Sequence, residues 1–293
     1  MNIPPGKSIF DLILWTEERL RECGVEEPRR EALFMLSHLV GVKPTELLRR
    51  FSHRLNGSKV ELLNEWIERR ARREPLQYIL GETEFWGLSF IVDSSVLIPR
   101  PETEHLVEEA VRLLRGMSPE EELRVCDLCT GCGCIAISIA KEVPSARIIA
   151  TDISAQALSV AHRNAELNMV EDKIRFLEGD LFTPLRDYRE TFHIITANPP
   201  YVRKAELEEL QPEIRLYEPF LALDGGEEGL SFIRAIVREA PSYIKAGGYL
   251  VLEIGYGQRD AVLEMMEESG EFTEIRVRKD YGGTDRVVAG RRR

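Results

Sequence analysis

The sequence predicts an α/β protein with a mostly parallel, seven-stranded sheet, a smaller all-α N-terminal domain and a β-hairpin linker. Three observations carry that expectation. From residue 123 onward, short apolar runs alternate with stretches of helical periodicity, as in a parallel sheet covered on both faces. Residues 8–75 show helical periodicity only. Between them, 85–92 and 95–98 read as two short strands around Asp93-Ser94. The expected division is 1–80 helical domain, 81–104 hairpin linker and 105–293 α/β domain.

Each helix of the first part has a start or a stop. Ser8-Ile9-Phe10-Asp11 is a capping-box pattern, Phe10, Ile13 and Leu14 mark an apolar face, and Gly24 ends the helix. Pro28 opens a second helix carrying Ala32, Leu33, Met35, Leu36, Leu39 and Val40, stopped at Gly41. Pro44 opens a short third through Leu47 and Leu48. Ser58-Lys59-Val60-Glu61 caps a fourth, with Leu62, Leu63, Trp66 and Ile67 inward. Its basic end, Arg69, Arg70, Arg72 and Arg73, suits either a solvated helix terminus or a partner-docking surface.

In the second part, a helix through Leu106, Val107, Ala110, Val111 and Leu114 follows Pro99–Glu104. Strands are expected at 123–128, 147–151, 174–178, 192–197, 248–254, 273–278 and 286–289. Helices are expected near 133–141, 155–168, 228–243 and 257–268. Arg291-Arg292-Arg293 reads as a frayed basic tail.

Charge is unevenly divided over the 293 residues, whose net charge is −11. Residues 1–80 carry 14 Lys/Arg and 12 Asp/Glu, and the remainder 25 and 38. The acidic second part disfavours a nucleic-acid backbone as partner. No apolar run approaches the roughly 18 residues of a membrane span, and the first residues lack the apolar segment of a signal peptide. A cytoplasmic protein is expected. No heptad or large apolar stripe demands a dimer, so a monomer is expected. The five cysteines are an odd number, which fits reduced thiols. Cys126, Cys129, Cys132 and Cys134 have the crowding of an iron–sulfur ligand set. Strand, turn and helix would aim those sulfurs apart, however, so small packed thiols are expected and no metal.

The chemistry-bearing residues stand at strand ends. Asp127-Leu128-Cys129-Thr130-Gly131-Cys132-Gly133 follows the first strand of the alternating part, where small residues let the backbone turn tightly against a ligand. Asp152 ends the second strand and can take both hydroxyls of a ribose. Asp180 ends the third, placed to accept from an adenine amino group while Leu181 covers the ring. No G-x-G-x-x-G occurs in the turn, so a dinucleotide is not indicated.

Asn198-Pro199-Pro200-Tyr201 follows the apolar run 192–197. A polar amide at the carboxyl end of a buried strand sits where open α/β sheets bind ligands. The prolines hold the turn rigid and supply no N–H, and Tyr201 adds a flat apolar face. An amide oxygen, a proline carbonyl and an aromatic plane together suit a planar –NH2 group. They hold its hydrogens and leave the nitrogen lone pair directed at an electrophile. The string resembles the motif of methyltransferases that modify planar nitrogens with S-adenosylmethionine. That motif is shared with amino-methyltransferases of adenine or cytosine in DNA and RNA.

The resemblance extends further. Gln77–Glu82, Phe85-Trp86-Gly87, Ile98–Glu104, the 127–133 turn and Asn198–Tyr201 occur together and in order. Over nearly its whole length the chain resembles the PrmC/HemK family, the protein-(glutamine-N5) methyltransferases of peptide chain release factors. The resemblance implies a class I S-adenosylmethionine-dependent methyltransferase fold, with that compound as co-substrate. It implies as substrate the glutamine of the Gly-Gly-Gln loop of bacterial release factors, recognised in part by the helical domain. It also implies that Asp127, Cys129, Thr130, Gly131, Cys132, Gly133, Asp152, Asp180, Leu181 and Asn198 hold the cofactor. Asn198, Pro199, Pro200 and Tyr201 would hold the glutamine, with Arg100 and Glu102 also binding the substrate. The family's usual Gly-Thr-Gly-Ser-Gly is Cys-Thr-Gly-Cys-Gly here, and Leu181 stands where an aromatic is frequent. Such a site has mainly to align nitrogen, methyl carbon and sulfur at roughly 3–3.5 Å. Accepting the amide hydrogens on the Asn198 oxygen and the Pro200 carbonyl would stabilise the positive charge developing on nitrogen. His193, inside the strand, is expected to be a packed or edge residue.

Overall fold

The computed structural model describes residues 3, 6–47, 49, 51–117 and 122–293; the expected helical position Leu48 lies outside them. The chain forms two compact units. One is Met1–Gly81 with Gln211–Tyr217, and the other is Glu82–Leu210 with Glu218–Arg293.

The first unit contains α1 (Ile9–Glu22), α2 (Pro28–Val40), α3 (Pro44–Leu47), α4 (Gly57–Ala71) and α5 (Leu76–Leu80). The capping box forms: Ser8 accepts from the Asp11 N–H, and Asp11 accepts from the Ser8 N–H at 3.0 Å. The buried face of α1 is Ile9, Leu12, Ile13, Thr16 and Leu20, so Phe10 and Leu14 face outward, against expectation. α4 starts earlier than its sequence suggests. Asn56, not Ser58, caps it, accepting from the Lys59 N–H at 3.0 Å.

Three of the four cations at the basic end of α4 are paired with carboxylates inside the unit, while Arg72 is exposed. Arg70 is 6% exposed and donates to Glu31 at 2.7 and 3.1 Å and to Glu213 at 2.9 Å, while Arg73 donates to Glu213 at 2.7 Å. Arg69 pairs with Glu74. Glu213 stands in Gln211–Tyr217, which is how a distant stretch of chain joins this unit. Replacing Arg70 by alanine strips a charge partner from two largely buried carboxylates. A loss of about 3–5 kcal/mol of stability is expected, read as a fall in Tm. Burial pushes the Glu213 carboxyl up, but the hydrogen bonds from Arg73 and Arg70 outweigh it and leave the pKa lowered. A lowered folded pKa stabilises above the unfolded value of about 4.3 and is lost as the pH falls below it. The wild type should therefore lose this contribution in acid, and Arg70→Ala should show a shallower acid dependence of Tm.

The second unit opens with a hairpin, β1 (Glu82–Phe85) and β2 (Leu88–Ile91). Its turn is Trp86-Gly87, not Asp93-Ser94. Phe85 pairs with Leu88, and both turn residues have positive φ, 55° and 67°. That is the twist a two-residue hairpin requires. Residues 95–98 form no strand, because Asp93 Oδ1 accepts from the Ser95 N–H and closes a local turn instead.

The elements that follow are α6 (Glu104–Arg115), β3 (Leu123–Leu128), α7 (Cys134–Glu142), β4 (Ala146–Asp152), α8 (Ala155–Leu167), β5 (Ile174–Glu178) and β6 (Phe192–Ala197). After the first-unit helix α9 (Pro212–Tyr217) come α10 (Ser231–Glu239), β7 (Ile244–Glu253), α11 (Arg259–Glu268), β8 (Phe272–Lys279) and β9 (Asp285–Arg292). The sheet order is β5-β4-β3-β6-β7-β9-β8. β3 to β7 run parallel, and β9 is antiparallel to both neighbours.

The order reverses between β3 and β6, so the carboxyl ends of these two strands flank the topological switch point. β7 begins at Ile244 rather than Gly248 because its pairing with β6 shifts register between Phe192 and Ile194. The C-terminal arginines are not frayed. Arg291 and Arg292 pair in β9 with Thr273 and Phe272, and the Arg293 N–H donates to Glu271 O at 3.0 Å. Among the described residues, no helix is long and apolar enough to cross a membrane.

Candidate active site

Four strand ends and the loops after them surround one cavity. Its lining includes Cys129 and Gly131 after β3, Thr151 and Asp152 of β4, Asp180 and Leu181 after β5, and Asn198 and Pro200 after β6. Val96, Leu97, Ile153, Leu221 and Phe232 contribute apolar walls. The acids expected to touch a ligand, Asp152 and Asp180, thus stand with Asn198 around a single space.

The turn after β3 is held from behind. Asp127 is fully buried, and its carboxylate accepts from the Thr130 hydroxyl at 2.6 Å and the Thr196 hydroxyl at 2.8 Å. Burial pushes its pKa up to about 7, with those two hydroxyls opposing. Asp127, Thr130, Cys132 and Gly133 do not line the cavity; they support what does. Gly133 caps α7 at φ +84°, and a Cβ there would meet Ile137 at 3.1 Å and Ala161 at 3.2 Å. Cys129, by contrast, carries a side chain at φ +55°. That conformation suits glycine and costs a non-glycine residue on the order of 1 kcal/mol.

Asp152 ties two loops together. Oδ2 accepts from the Gly131 N–H at 2.8 Å and Oδ1 from the Ser154 N–H at 2.9 Å. Burial raises its pKa against these backbone donors. Each carboxylate oxygen keeps a further lone pair for a hydroxyl. Leu181, at φ +43°, and Asp180 face the same space.

β6 is buried along its whole length, which fixes Asn198 at the switch point. The Asn198 Nδ2 donates to the Thr103 hydroxyl at 3.2 Å. Behind it, the Tyr201 hydroxyl donates to Glu253 at 3.2 Å. The Tyr201 carbonyl accepts from Gln258 Nε2 at 2.9 Å, and the same amide reaches Gly229 O at 3.0 Å. A Cβ on Gly229, at φ +73°, would lie 2.4 Å from the Tyr201 carbonyl, so only glycine admits this approach. Burial and the Glu253 charge raise the Tyr201 pKa and keep the hydroxyl protonated. Pro199 and Tyr201 do not line the cavity.

Other expected residues stand elsewhere. Arg100 donates to both oxygens of Glu218, at 2.6 and 2.8 Å, and anchors the start of the 219–222 wall; neither Arg100 nor Glu102 lines the cavity. His193 is packed in the sheet, its Nδ1 accepting from the Arg124 N–H at 2.9 Å. The four clustered cysteines are free thiols, with Cys126 in β3 and Cys134 opening α7. Burial raises the pKa of Cys126, and burial with three aspartates nearby, Asp152, Asp127 and Asp180, raises that of Cys129.

Several contributors were not anticipated. Thr103, Glu253 and Gln258 meet the motif from 52 to 95 residues away in sequence, and Thr196 meets Asp127 from 69 away. Asn164 of α8, fully buried, bonds both the N–H and the C=O of Ile91 and also Cys132 O at 2.9 Å. The one signal available was polarity inside apolar runs, as at Glu253 after Leu250-Val251-Leu252.

Comparison with known proteins agrees with this architecture. The family model of the PrmC N-terminal domain matches residues 11–81, and that of the methyltransferase small domain matches 105–214. A release factor glutamine methyltransferase of Geobacter sulfurreducens is 45% identical over 284 residues, covering 97% of this chain and 96% of its own. One from Thermodesulfovibrio yellowstonii is 42% identical over 259 residues, 88% and 91% of the two chains. In fold, a methyltransferase from Pyrococcus furiosus superposes with a TM-score of 0.51 at 17% identity, covering 76% of this chain and 98% of that one. The sheet is that of the class I S-adenosylmethionine-dependent methyltransferases, and the chain belongs to the release factor glutamine methyltransferase family.

Proposed function

We propose that the protein transfers the methyl group of S-adenosylmethionine to the side-chain amide nitrogen of the glutamine in the Gly-Gly-Gln loop of peptide chain release factors. The observation that carries this is the place of Asn198. Its side chain stands at the switch point, in the wall of the same cavity as Asp152 and Asp180.

The cavity fits the co-substrate. Asp152 has lone pairs left for ribose hydroxyls, Asp180 and Leu181 suit a purine, and Cys129 and Gly131 line the same cavity, where the methionine part would lie. Bound there, the compound supplies an electrophilic sulfonium methyl. The chain orients the nucleophile. With Nδ2 committed to Thr103, the Asn198 oxygen is free to accept one amide hydrogen. The Pro200 carbonyl, with which no donor among the described residues is paired, accepts the other. These fixed acceptors stabilise the charge that grows on nitrogen. The proton leaves afterwards to water, so no strong base is needed.

One glutamine offers too little area to select a protein. The helical unit, Met1–Gly81 with Gln211–Tyr217, is therefore read as the part that docks a second surface of the factor. The reading includes a cytoplasmic monomer that binds no nucleic acid stably. The test is incubation of the purified full chain with labelled S-adenosylmethionine and either intact release factor, a short Gly-Gly-Gln peptide, or DNA and RNA. Label on the factor, with kcat/KM far above that on the peptide, is expected. Label on nucleic acid alone would replace the reading with an adenine or cytosine amino-methyltransferase. Equal kcat/KM on factor and peptide would remove the docking role.

A further inference from the structure

One buried acid has no task in the chemistry above. Glu253 closes β7, and the register Ala197↔Leu252 places it beside Asn198 at the end of the neighbouring strand. Its side chain is fully buried; Oε1 accepts from the Tyr201 hydroxyl at 3.2 Å and the Thr103 hydroxyl bears on the carboxylate, while Oε2 has no partner in hydrogen-bond geometry among the described residues. A buried, half-satisfied carboxylate costs stability that an apolar side chain of the same volume would not. Its position calls for another explanation.

Thr103 supplies the connection. Its hydroxyl accepts from Asn198 Nδ2 and lies against the Glu253 carboxylate. A hydroxyl has one proton. Given to the carboxylate, that proton leaves the oxygen lone pairs for the Asn198 amide. The amide must then present Nδ2 to Thr103 and Oδ1 to the cavity. Were the carboxyl protonated, Thr103 could turn its proton elsewhere, and nothing would fix which way Asn198 faces.

We propose that Glu253 is a positioning residue for methyl transfer: through Thr103 its carboxylate fixes the orientation of the Asn198 amide without touching substrate. This rests on the glutamine-methylating reading of the site. The groups facing Glu253 are Thr103 and Glu102 before α6, Tyr201 after β6, Arg286 of β9 and Cys134 of α7. Burial pushes the carboxyl up to about 7, with Thr103, Arg286 and Tyr201 opposing and Glu102 adding to the rise. The ordering form is the carboxylate, so kcat should fall as the pH drops through about 7. Asp127 is also pushed to about 7, so a wild-type acid limb alone decides nothing.

The test compares full-length wild type and Glu253→Gln on release factor and S-adenosylmethionine from about pH 6 to about pH 9. At the alkaline end, kcat should be roughly 10- to 100-fold lower in the variant, the size expected for a misplaced reacting group. KM for S-adenosylmethionine should stay within about twofold. Should Glu253→Gln fail to fold, Thr103→Val breaks the same relay and should show the same loss of kcat, with Thr103→Ser recovering most of it. A second readout needs no substrate. The NMR signal of the Asn198 side-chain amide, assigned by its loss in Asn198→Ala, should titrate near pH 7 in wild type and not in Glu253→Gln. Wild-type kcat in Glu253→Gln, or an Asn198 amide signal that titrates in Glu253→Gln as it does in wild type, would make Glu253 structural only and overturn the proposal. A wild type that never methylates the factor would instead sink the functional reading, and the amide titration would still decide the coupling.

Discussion

Asn198→Ala is expected to lower kcat by at least about 100-fold while S-adenosylmethionine affinity changes by only a small factor. The side chain lines the cavity, and its Nδ2 is held by Thr103 at 3.2 Å, so Oδ1 is the atom available to a substrate amide. Losing one positioned acceptor that acts in the transition state costs on the order of 3 kcal/mol. The backbone around it should survive. β6 is buried along its length, and Tyr201 is pinned independently by Gln258 and Glu253. Single-turnover rates and cofactor titration separate the two effects. A variant with near-normal turnover would reduce Asn198 to a turn residue and remove the catalytic reading.

Asp152→Ala should weaken S-adenosylmethionine binding by about 100-fold, or about 3 kcal/mol, with kcat at saturation much less affected. Two losses combine. The ribose hydroxyls lose a charged acceptor, and the Gly131 and Ser154 N–H groups lose theirs, at 2.8 and 2.9 Å. The second loss loosens the turn that must lie against the ligand. Asp152→Asn separates them, because its amide keeps one accepting oxygen and turns the other position into a donor. Its affinity should fall between wild type and Asp152→Ala in isothermal calorimetry. Unchanged affinity in both variants would take Asp152 out of the cofactor site.

The legible part of this protein is the part encoded locally. Parallel strands are apolar runs, and the cavity opens at their carboxyl ends. Asp152, Asp180 and Asn198 could therefore be placed around one space from position alone. The Ser8–Asp11 capping box and the Pro28 and Gly41 boundaries are likewise contained within a few residues each.

What sequence reasoning missed is non-local or set by competition between two local signals. Arg70 reads as one more cation at a helix end, yet Glu31 and Glu213 bury it, and Glu213 is over 140 residues away. Arg291 and Arg292 read as a tail, yet β8 pairs with them. At the hairpin, Asp93-Ser94 and Trp86-Gly87 both offer turns. The positive φ at two successive residues decides for the latter, although tryptophan is not a residue that announces it. Glu253 comes beside Asn198 only once β6 and β7 have paired, and Thr103 meets Asn198 from 95 residues away, so no spacing in the chain records that meeting.

The central claim is that one glutamine nitrogen receives the methyl group. The decisive measurement is tandem mass spectrometry of an intact release factor after reaction with trideuteromethyl-labelled S-adenosylmethionine, alongside an Asn198→Ala control. The account predicts a single labelled methyl on the side-chain nitrogen of the Gly-Gly-Gln glutamine, and an initial rate of labelling at least about 100-fold lower in the control. A label on any other residue, or an equal rate in Asn198→Ala, would contradict it.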